Sequence, residues 1–433
     1  MIEPLYDFDN LYESFRKVRS VSGWKERTQR YNEDLVFNLC DLRKRLVEGK
    51  YRPGVPNEFV LRERGKIRQI ESYNIEDRIV QRCFTQYVLT PLVRPKLIYD
   101  NDASLVGRGT THFRDRLAYK LRDFARLHGN HGYVLLGDFS KFFDNIHHSV
   151  LLRCLEEMGA DRDVLRFTKL ILDAHKVDVS YMSDEEYAHC MEIPFNAYEY
   201  AKIDKSKLDG SKMMAKSVGI GSHLAQLAGI VVPYRLDNYI KIVKGLKYYG
   251  RYNDDFYVIH EDKEFLKDLL VDIDEICKSL GIMLNRKKTQ IIPLRHRFSI
   301  LQTQYFIRDD GKLVQIPSKK GYKRERDKLR GLARRYKRGQ ISFDKVQNMY
   351  KSWRFNVITR HGTKRSIESV DALFLKLFGK PYDAVVPVGR IRRKDLFNWY
   401  TGDMEDPNVF DQTGRRNCHS KPGTEREQLY LTG

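Results

Sequence analysis

Apolar and polar positions change rhythm several times along this chain, and each change predicts an element. From Leu11 to Gly49 the residues are charged and broadly helical in pattern. The cluster Tyr51-Arg52-Pro53-Gly54-Val55-Pro56 then breaks the chain. Phe59-Val60-Leu61 and Ile67-Arg68-Gln69-Ile70 flank Arg64-Gly65, which predicts a hairpin. Ile75, Ile79, Val80, Cys83 and Val88 fall close to helical spacing. Gly107-Arg108-Gly109-Thr110 opens a basic helix that runs to about Arg126. Tyr133-Val134-Leu135-Leu136 is a short apolar strand ending at Gly137-Asp138. Two helices follow, around Ser149–Met158 and Asp163–His175. The stretch 176–215 has little period and reads as an insertion with a hairpin. Ser222 is the expected N-cap of a helix that buries Leu224, Leu227, Ala228 and Val231. Tyr248–Tyr252 and Phe256–Ile259 predict two strands around a tight Asn253-Asp254-Asp255 turn, with a helix over Glu264–Leu280 after them. No internal repeat or low-complexity linker is visible.

A length of 433 residues allows two or three domains, and 41% hydrophobic residues exclude general disorder. The longest apolar stretch, Leu224 to Tyr234, is broken by Gln226, Gly229 and Pro233 and falls well short of the roughly 20 residues a bilayer span needs. No membrane partner is therefore expected. The acidic start, Met1-Ile2-Glu3-Pro4, lacks a signal pattern. Six scattered cysteines without a C-x-x-C pair read as reduced thiols in a cytoplasmic protein and suggest no zinc site. His147 and His148 are adjacent and read as structural.

Charge changes the picture. The net charge is +20, and such an excess bears on partners rather than on fold. Nucleic acid is the first candidate, because polyphosphate rewards many cationic contacts through counterion release. Between Lys319 and Arg338 there are eleven Lys or Arg and two acids, a net of +9. A like-charge block of this kind is usually an interaction segment. Lys323, Arg330, Arg334, Arg335 and Arg338 are its candidate RNA contacts, with Tyr322 and Tyr336 interleaved as stacking partners.

Two carboxylate clusters carry candidate chemistry. Asp138 ends an apolar strand, with Asp144 six positions on, and Asp254-Asp255 stand at the hairpin turn. A strand holds a carboxylate rigidly at its tip, and carboxylates select hard cations such as Mg²⁺. Two such ions about 4 Å apart can activate an attacking hydroxyl and stabilise a leaving pyrophosphate. Alone, Asp254-Asp255 would be an ordinary turn.

The conjunction decides. Leu136-Gly137-Asp138-Phe139-Ser140-Lys141-Phe142-Phe143-Asp144, Gly219-Ile220-Gly221-Ser222-His223-Leu224-Ala225-Gln226, Tyr252-Asn253-Asp254-Asp255 and Leu284-Asn285-Arg286-Lys287-Lys288-Thr289 follow in order. Together they resemble the palm motifs of reverse transcriptases. Gly65-Lys66-Ile67-Arg68 and Asp77-Arg78-Ile79-Val80-Gln81 resemble fingers motifs, and Ser352-Trp353-Arg354 with the following helices resembles a thumb. The likeness runs from about residue 51 to about residue 379.

The resemblance implies an α+β fold of right-hand polymerase architecture. It divides the chain into an N-terminal helical segment (1–50), fingers (51–130), a palm with part of the fingers and the insertion (131–315), a basic helical thumb (316–380) and a basic C-terminal extension (381–433). It implies RNA-directed DNA synthesis by two-metal nucleotidyl transfer, with two Mg²⁺ ions and Mn²⁺ as the alternative. Asp138 and Asp254 would bind metal, Asp255 would be the less essential third carboxylate, and the Phe139 carbonyl would complete the shell. Lys66 and Arg68 would hold the dNTP triphosphate, Phe143 would exclude a 2′-hydroxyl, and Lys288 would be the general acid toward pyrophosphate. Ile220 falls where many relatives carry glutamine, and Gln226 where they carry proline, so both are candidate nucleotide contacts of altered type. A similar Ile-Gly…Gln pattern occurs in diversity-generating retroelement enzymes and in unknown-group bacterial enzymes linked to phage defence.

No integrase, protease or HNH pattern accompanies these motifs. The chain most resembles the defence-associated unknown-group reverse transcriptases that work with a structured non-coding RNA as template or scaffold and leave a cDNA product. Retron-type enzymes, a template-independent or protein-primed DNA polymerase of the abortive-infection type, RNA synthesis on the same palm, and an inactive RNA-binding scaffold are the alternatives.

Overall fold

In a computed structural model, residues 1–63, 66–200 and 202–382 are described. The chain divides into two compact units, one of residues 1–301 and 305–314, the other of residues 302–304 and 315 onward.

The first unit opens with α1 (Phe8–Ser22), α2 (Glu26–Glu33) and α3 (Leu35–Val47). Asp7 caps α1 by accepting from the Asn10 amide. Leu11, Phe15 and Val18 recur at helical spacing and are buried, so one face of α1 joins the core. The strands β1 (Asn57–Glu63) and β2 (Lys66–Ser72) pair antiparallel, Asn57 opposite Ser72 and Glu63 opposite Lys66. The Arg64-Gly65 turn and the Lys66 side chain lie outside the described residues. Next come α4 (Ile75–Cys83), a wider helical turn (Phe84–Leu89), the short α5 (Thr90–Val93) and α6 (Thr110–His128).

The central sheet is antiparallel, in the order β6-β7-β3-β8. β3 (Tyr133–Asp138) lies between β7 (Asp255–His260) and β8 (Gln290–Pro293), and β6 (Tyr249–Tyr252) is the edge. Between β3 and β6 the chain runs through α7 (His148–Glu157), α8 (Arg162–Asp173), the paired β4 (Val177–Asp178) and β5 (Met213–Met214) with α9 (Asp184–Glu192) and α10 (Ala197–Tyr200) between them, then α11 (His223–Val231) and α12 (Tyr234–Asn238). The insertion 176–215 has a small core of its own, Val179, Phe195 and Met214. α13 (Lys263–Ser279) links β7 to β8. Val134, Leu135, Phe256 and Val258 are fully buried, so apolar residues on both sides of the paired strands fix the register.

Three short strands, β9 (Phe298–Ile300), β10 (Thr303–Ile307) and β11 (Leu313–Pro317), lead to the second unit. That unit packs α14 (Lys319–Lys337), α15 (Phe343–Ile358) and α16 (Lys364–Phe378) around Leu329, Val346, Tyr350, Val370 and Phe374. Tyr322 and Tyr336 belong to this core, contrary to their expected role as RNA-stacking rings. Tyr322 meets Trp353 edge-on, and Tyr336 packs on Phe343 and Phe378. The cause is spacing, since both lie on the α14 face that carries Leu329 and Ala333. The C-terminal extension at 381–433 falls, from residue 383 onward, outside the described residues.

Candidate active site

Asp138 is the last residue of the central strand, and neighbours flank it on both sides. Asp255 stands directly opposite it in the β3–β7 register. Opposed residues of an antiparallel pair place their Cβ atoms about 4.5–5.5 Å apart on one face. The Phe139 amide donates to the Asp254 carbonyl at 3.2 Å, which draws the turn aspartate to the same tip. On the other side Asn285 donates its amide to the Asp138 carbonyl at 2.8 Å and its side-chain Nδ2 to Asp138 Oδ1 at 2.9 Å. Lys288 Nζ sits on Asp138 Oδ2 at 2.5 Å. The Asp138 carboxylate is thus buried, with a cation on one oxygen and an amide on the other.

The hairpin that carries Asp254 is braced from below. Arg251 is fully buried, and its guanidinium forms a bidentate pair with Asp237, at 2.8 and 2.7 Å. It also donates to the carbonyls of Gly229, Ile230 and Asn253. Tyr249 donates its hydroxyl to Asp237 at 2.5 Å. Burial pushes the Tyr249 hydroxyl well above its usual value, so it remains a donor. Asn253 takes a positive φ of 52° at the first turn position, a conformation asparagine tolerates. This bracing had no sequence signal: Arg251 reads there as one more surface cation.

Phe143 lies beyond the strand, in a turn. The strand stops at Asp138, Lys141 takes a left-handed φ of 43°, and Phe143–Asn145 form a 3₁₀ turn. Phe142 is 5% exposed and packs on Phe139, whereas Phe143 is half-buried. The Phe143 ring lies against Gly229, where an added Cβ would meet two ring carbons at 3.1 and 3.2 Å and Asn253 Oδ1 at 3.1 Å. A side chain at Gly229 would require the ring or the Asn253 amide to give by a few tenths of an ångström. Asp144 does not join Asp138. It accepts from the Ala197 amide, and burial pushes its carboxyl up to about 6.

Ser222 caps α11 by accepting from the Ala225 amide at 2.8 Å. Ile220 is half-buried and its carbonyl accepts from the Glu71 amide on β2 at 2.9 Å. A Cβ on Gly221, at φ 129°, would come within 2.4 Å of the Glu71 carbonyl oxygen. Gln226 is exposed and faces a cavity of about 470 Å³, shared with Lys17, Arg78, Gln81, Arg82 and His223. Burial lowers the pKa of both guanidiniums and pushes the His223 imidazole down to about 4. Among the described residues neither arginine pairs with a carboxylate, and the buried Arg82 Nε has no partner. Arg68 is exposed on β2. In the second unit Lys323, Arg330, Arg334, Arg335 and Arg338 are all exposed along α14, and Arg330 pairs with Asp327 at 2.8 Å.

Among the described residues no group of three or more His, Cys, Asp or Glu is arranged to hold a metal ion. The expected donors, the Asp138 and Asp254 carboxylates with the Phe139 carbonyl and Asp255 as a third carboxylate, are not gathered into such a group. An all-oxygen set of this kind suits a hard divalent cation. The Lys288 ammonium already on Asp138 indicates a carboxylate that needs a neighbouring positive charge. The residues present therefore fit the group.

The family model described as reverse transcriptase (RNA-dependent DNA polymerase) matches residues 55–306, more than half of the chain. The chain belongs to this family. It is similar to protein YkfC of Escherichia coli strain K12, 25% identical over 152 residues, which are 34% of this chain and 38% of YkfC. The chain therefore spans less than half of that relative. Among solved structures it is similar to Candida albicans telomerase in complex with a TWJ fragment of telomeric RNA, at 13% identity and TM-score 0.38, covering 77% of this chain and 60% of that one. Apo telomerase of Candida tropicalis is matched at 13% identity and TM-score 0.38, over 60% and 54%. No described helix is long and apolar enough to cross a membrane.

Proposed function

We propose that this protein is an RNA-directed DNA polymerase that copies an associated structured non-coding RNA into cDNA, in the cytoplasm, as part of antiphage defence. The observation that carries the polymerase reading is the tip of the central sheet, where Asp138 is set opposite Asp255 and beside Asp254 with Lys288 on its carboxylate. The defence role and the non-coding RNA rest on the likeness of the second motif, Ile220 to Gln226, to that of the defence-linked enzymes.

Asp138, Asp254 and the Phe139 carbonyl would hold two Mg²⁺ ions, with Asp255 as a further oxygen donor. Bound there, the ions supply activation of the primer 3′-hydroxyl and charge stabilisation of the leaving pyrophosphate. Lys288, with its Nζ on Asp138, would act as the general acid toward pyrophosphate as that group departs. Arg68 and Lys66, on the fingers strand, bind the triphosphate. Phe143 presents ring carbon where a ribose 2′-hydroxyl would need water or a hydrogen-bond partner, and leaving that hydroxyl unsatisfied costs on the order of 1–3 kcal/mol. Arg78 and Arg82, lining the cavity without carboxylate partners, favour a phosphate of the templating strand. The exposed cations of α14 favour RNA or a duplex.

The test is to purify the protein from cells, sequence the nucleic acid that comes with it, and add labelled dNTPs. Templated cDNA from one RNA supports the reading. Asp254→Asn with Asp255→Asn should abolish synthesis and leave that RNA bound. Extension by the double variant at near wild-type rate would remove the palm assignment.

A further inference from the structure

The insertion 176–215 belongs to none of the motifs, yet its two limbs close on the turn that carries Phe143. On one side Asn145 and Phe195 exchange hydrogen bonds: the Phe195 amide donates to Asn145 Oδ1 at 2.7 Å, and Asn145 Nδ2 donates to the Phe195 carbonyl at 3.2 Å. The same Nδ2 donates to the carbonyl of Lys141 at 2.8 Å, at the left-handed residue where the turn begins. Asp144, next to the gate ring, accepts from the Ala197 amide.

On the other side the returning limb runs antiparallel to the turn. His148 donates its amide to the Ala215 carbonyl at 3.1 Å, and Ser217 donates to Ile146 at 3.0 Å. Val218 donates to the Phe143 carbonyl itself at 3.3 Å. Buried Lys216 ties the limbs together, its Nζ donating to the carbonyls of Cys190 and Ile193, each at 3.0 Å. Helix α10 of the insertion also packs on β2, the strand of Arg68.

A steric filter works only if its backbone cannot retreat. Admitting one extra oxygen needs a displacement on the order of 1 Å, and a surface turn yields that easily. Within the turn itself, the side chain that fixes the backbone is Asn145, and two of its three hydrogen bonds are to the insertion. We propose that the insertion is the brace of the sugar filter: Asn145 is a positioning residue that holds Phe143 in place, so discrimination between deoxy- and ribonucleotides depends on a segment that takes no part in the chemistry. The proposal rests on the polymerase reading and on Phe143 as the ring that meets the sugar.

The experiment is single-nucleotide incorporation by the full chain with matched dNTP and rNTP, reading kcat and KM separately for wild type, Phe143→Ala, Asn145→Ala, Asn145→Asp and Lys216→Met. Asn145→Ala should lower the dNTP/rNTP ratio of kcat/KM about tenfold, by improving ribonucleotide use, with dNTP kcat within about threefold of wild type. Asn145→Asp keeps the acceptor for Phe195 and should fall between. Lys216→Met touches no residue of the turn through its side chain, and should move the ratio in the same direction by less. If Asn145→Ala does not fold, Lys216→Met decides. A lowered ratio in Phe143→Ala with unchanged ratios in the brace variants overturns the brace alone. Equal loss of dNTP and rNTP rates overturns it too, because that is a merely structural effect. An unchanged ratio in Phe143→Ala removes the filter and the brace with it, while loss of all synthesis only in the Asp254→Asn, Asp255→Asn protein leaves the polymerase reading standing.

Discussion

The sheet tip of the first unit and helix α14 of the second use charge in opposite ways. At the tip, Arg251 and Asp237 are buried and bound to each other, and buried Asp138 holds the ammonium of an exposed Lys288. Along α14 the cations point to solvent, and the acids near them are few. Buried pairs are insensitive to salt and hold atoms in place, which is what chemistry requires. Exposed cations in excess of their acids fix little and attract polyanions over distance, which is what binding requires. The two regions should therefore separate cleanly under mutation, one failing in rate and stability, the other in salt-dependent affinity.

The largest effect expected is on rate. Asp138→Asn should lower primer extension by at least about 10³-fold, since it removes a central oxygen donor, while affinity for RNA stays within about threefold. Extension assays and filter binding on one preparation check both. Next is stability. Arg251→Met leaves Asp237 buried and unpaired, which should cost about 3–5 kcal/mol in denaturant unfolding. Adding Asp237→Leu should return much of that loss, because an apolar pair of similar volume replaces a buried ion pair at little cost.

The aspartates of the sheet tip and the arginine beneath them differ in how far the sequence disclosed them. Asp138, Asp254 and Asp255 stand out in the sequence because they fall in short motifs with fixed local spacing. Arg251 was not, because its partners Asp237 and Gly229 come from α12 and α11, and burial of a cation has no local pattern. The turn of Phe143 is not legible locally for a related reason: part of what holds it is the exchange of hydrogen bonds between Asn145 and the distant Phe195. Tyr322 and Tyr336 could have been placed correctly, since their spacing from Leu329 and Ala333 follows the helical period of α14.

A smaller effect separates the regions by pH. The folded carboxyl of Asp144 titrates at about 6, against an ordinary 3.8, because burial penalises its charge. Its contribution to stability is therefore complete below pH 3.8 and lost as pH rises through about 6. Asp144→Asn should be more stable than wild type at pH 8, by at most about 3 kcal/mol, and the difference should vanish near pH 3.5. Thermal melts across that range check it. The smallest change in the folded protein is expected from α14. Replacing Arg330, Arg334, Arg335 and Arg338 by Gln should leave melting nearly unchanged, with about 0.5 kcal/mol or less per site. The log–log salt slope of RNA binding should flatten by up to about 3. An unchanged slope would return α14 to a solvated helix and erase the contrast with the tip.

The strand order of the central sheet also governs when the protein becomes an enzyme during its synthesis. β3 lies between β7 and β8, but α7 to α12 and the whole insertion are translated before either neighbour exists. Pairing over such sequence separation is slow, because loop closure precedes any reward from contacts. An apolar strand ending in a catalytic aspartate thus waits unpaired while the ribosome moves on, the situation in which a nascent chain is most open to chaperones and to misassembly. Truncated products that stop before Gln290 would carry Asp138, Asp254 and Asp255 on a sheet still lacking the strand that follows Lys288, so the sheet tip is completed late and all at once.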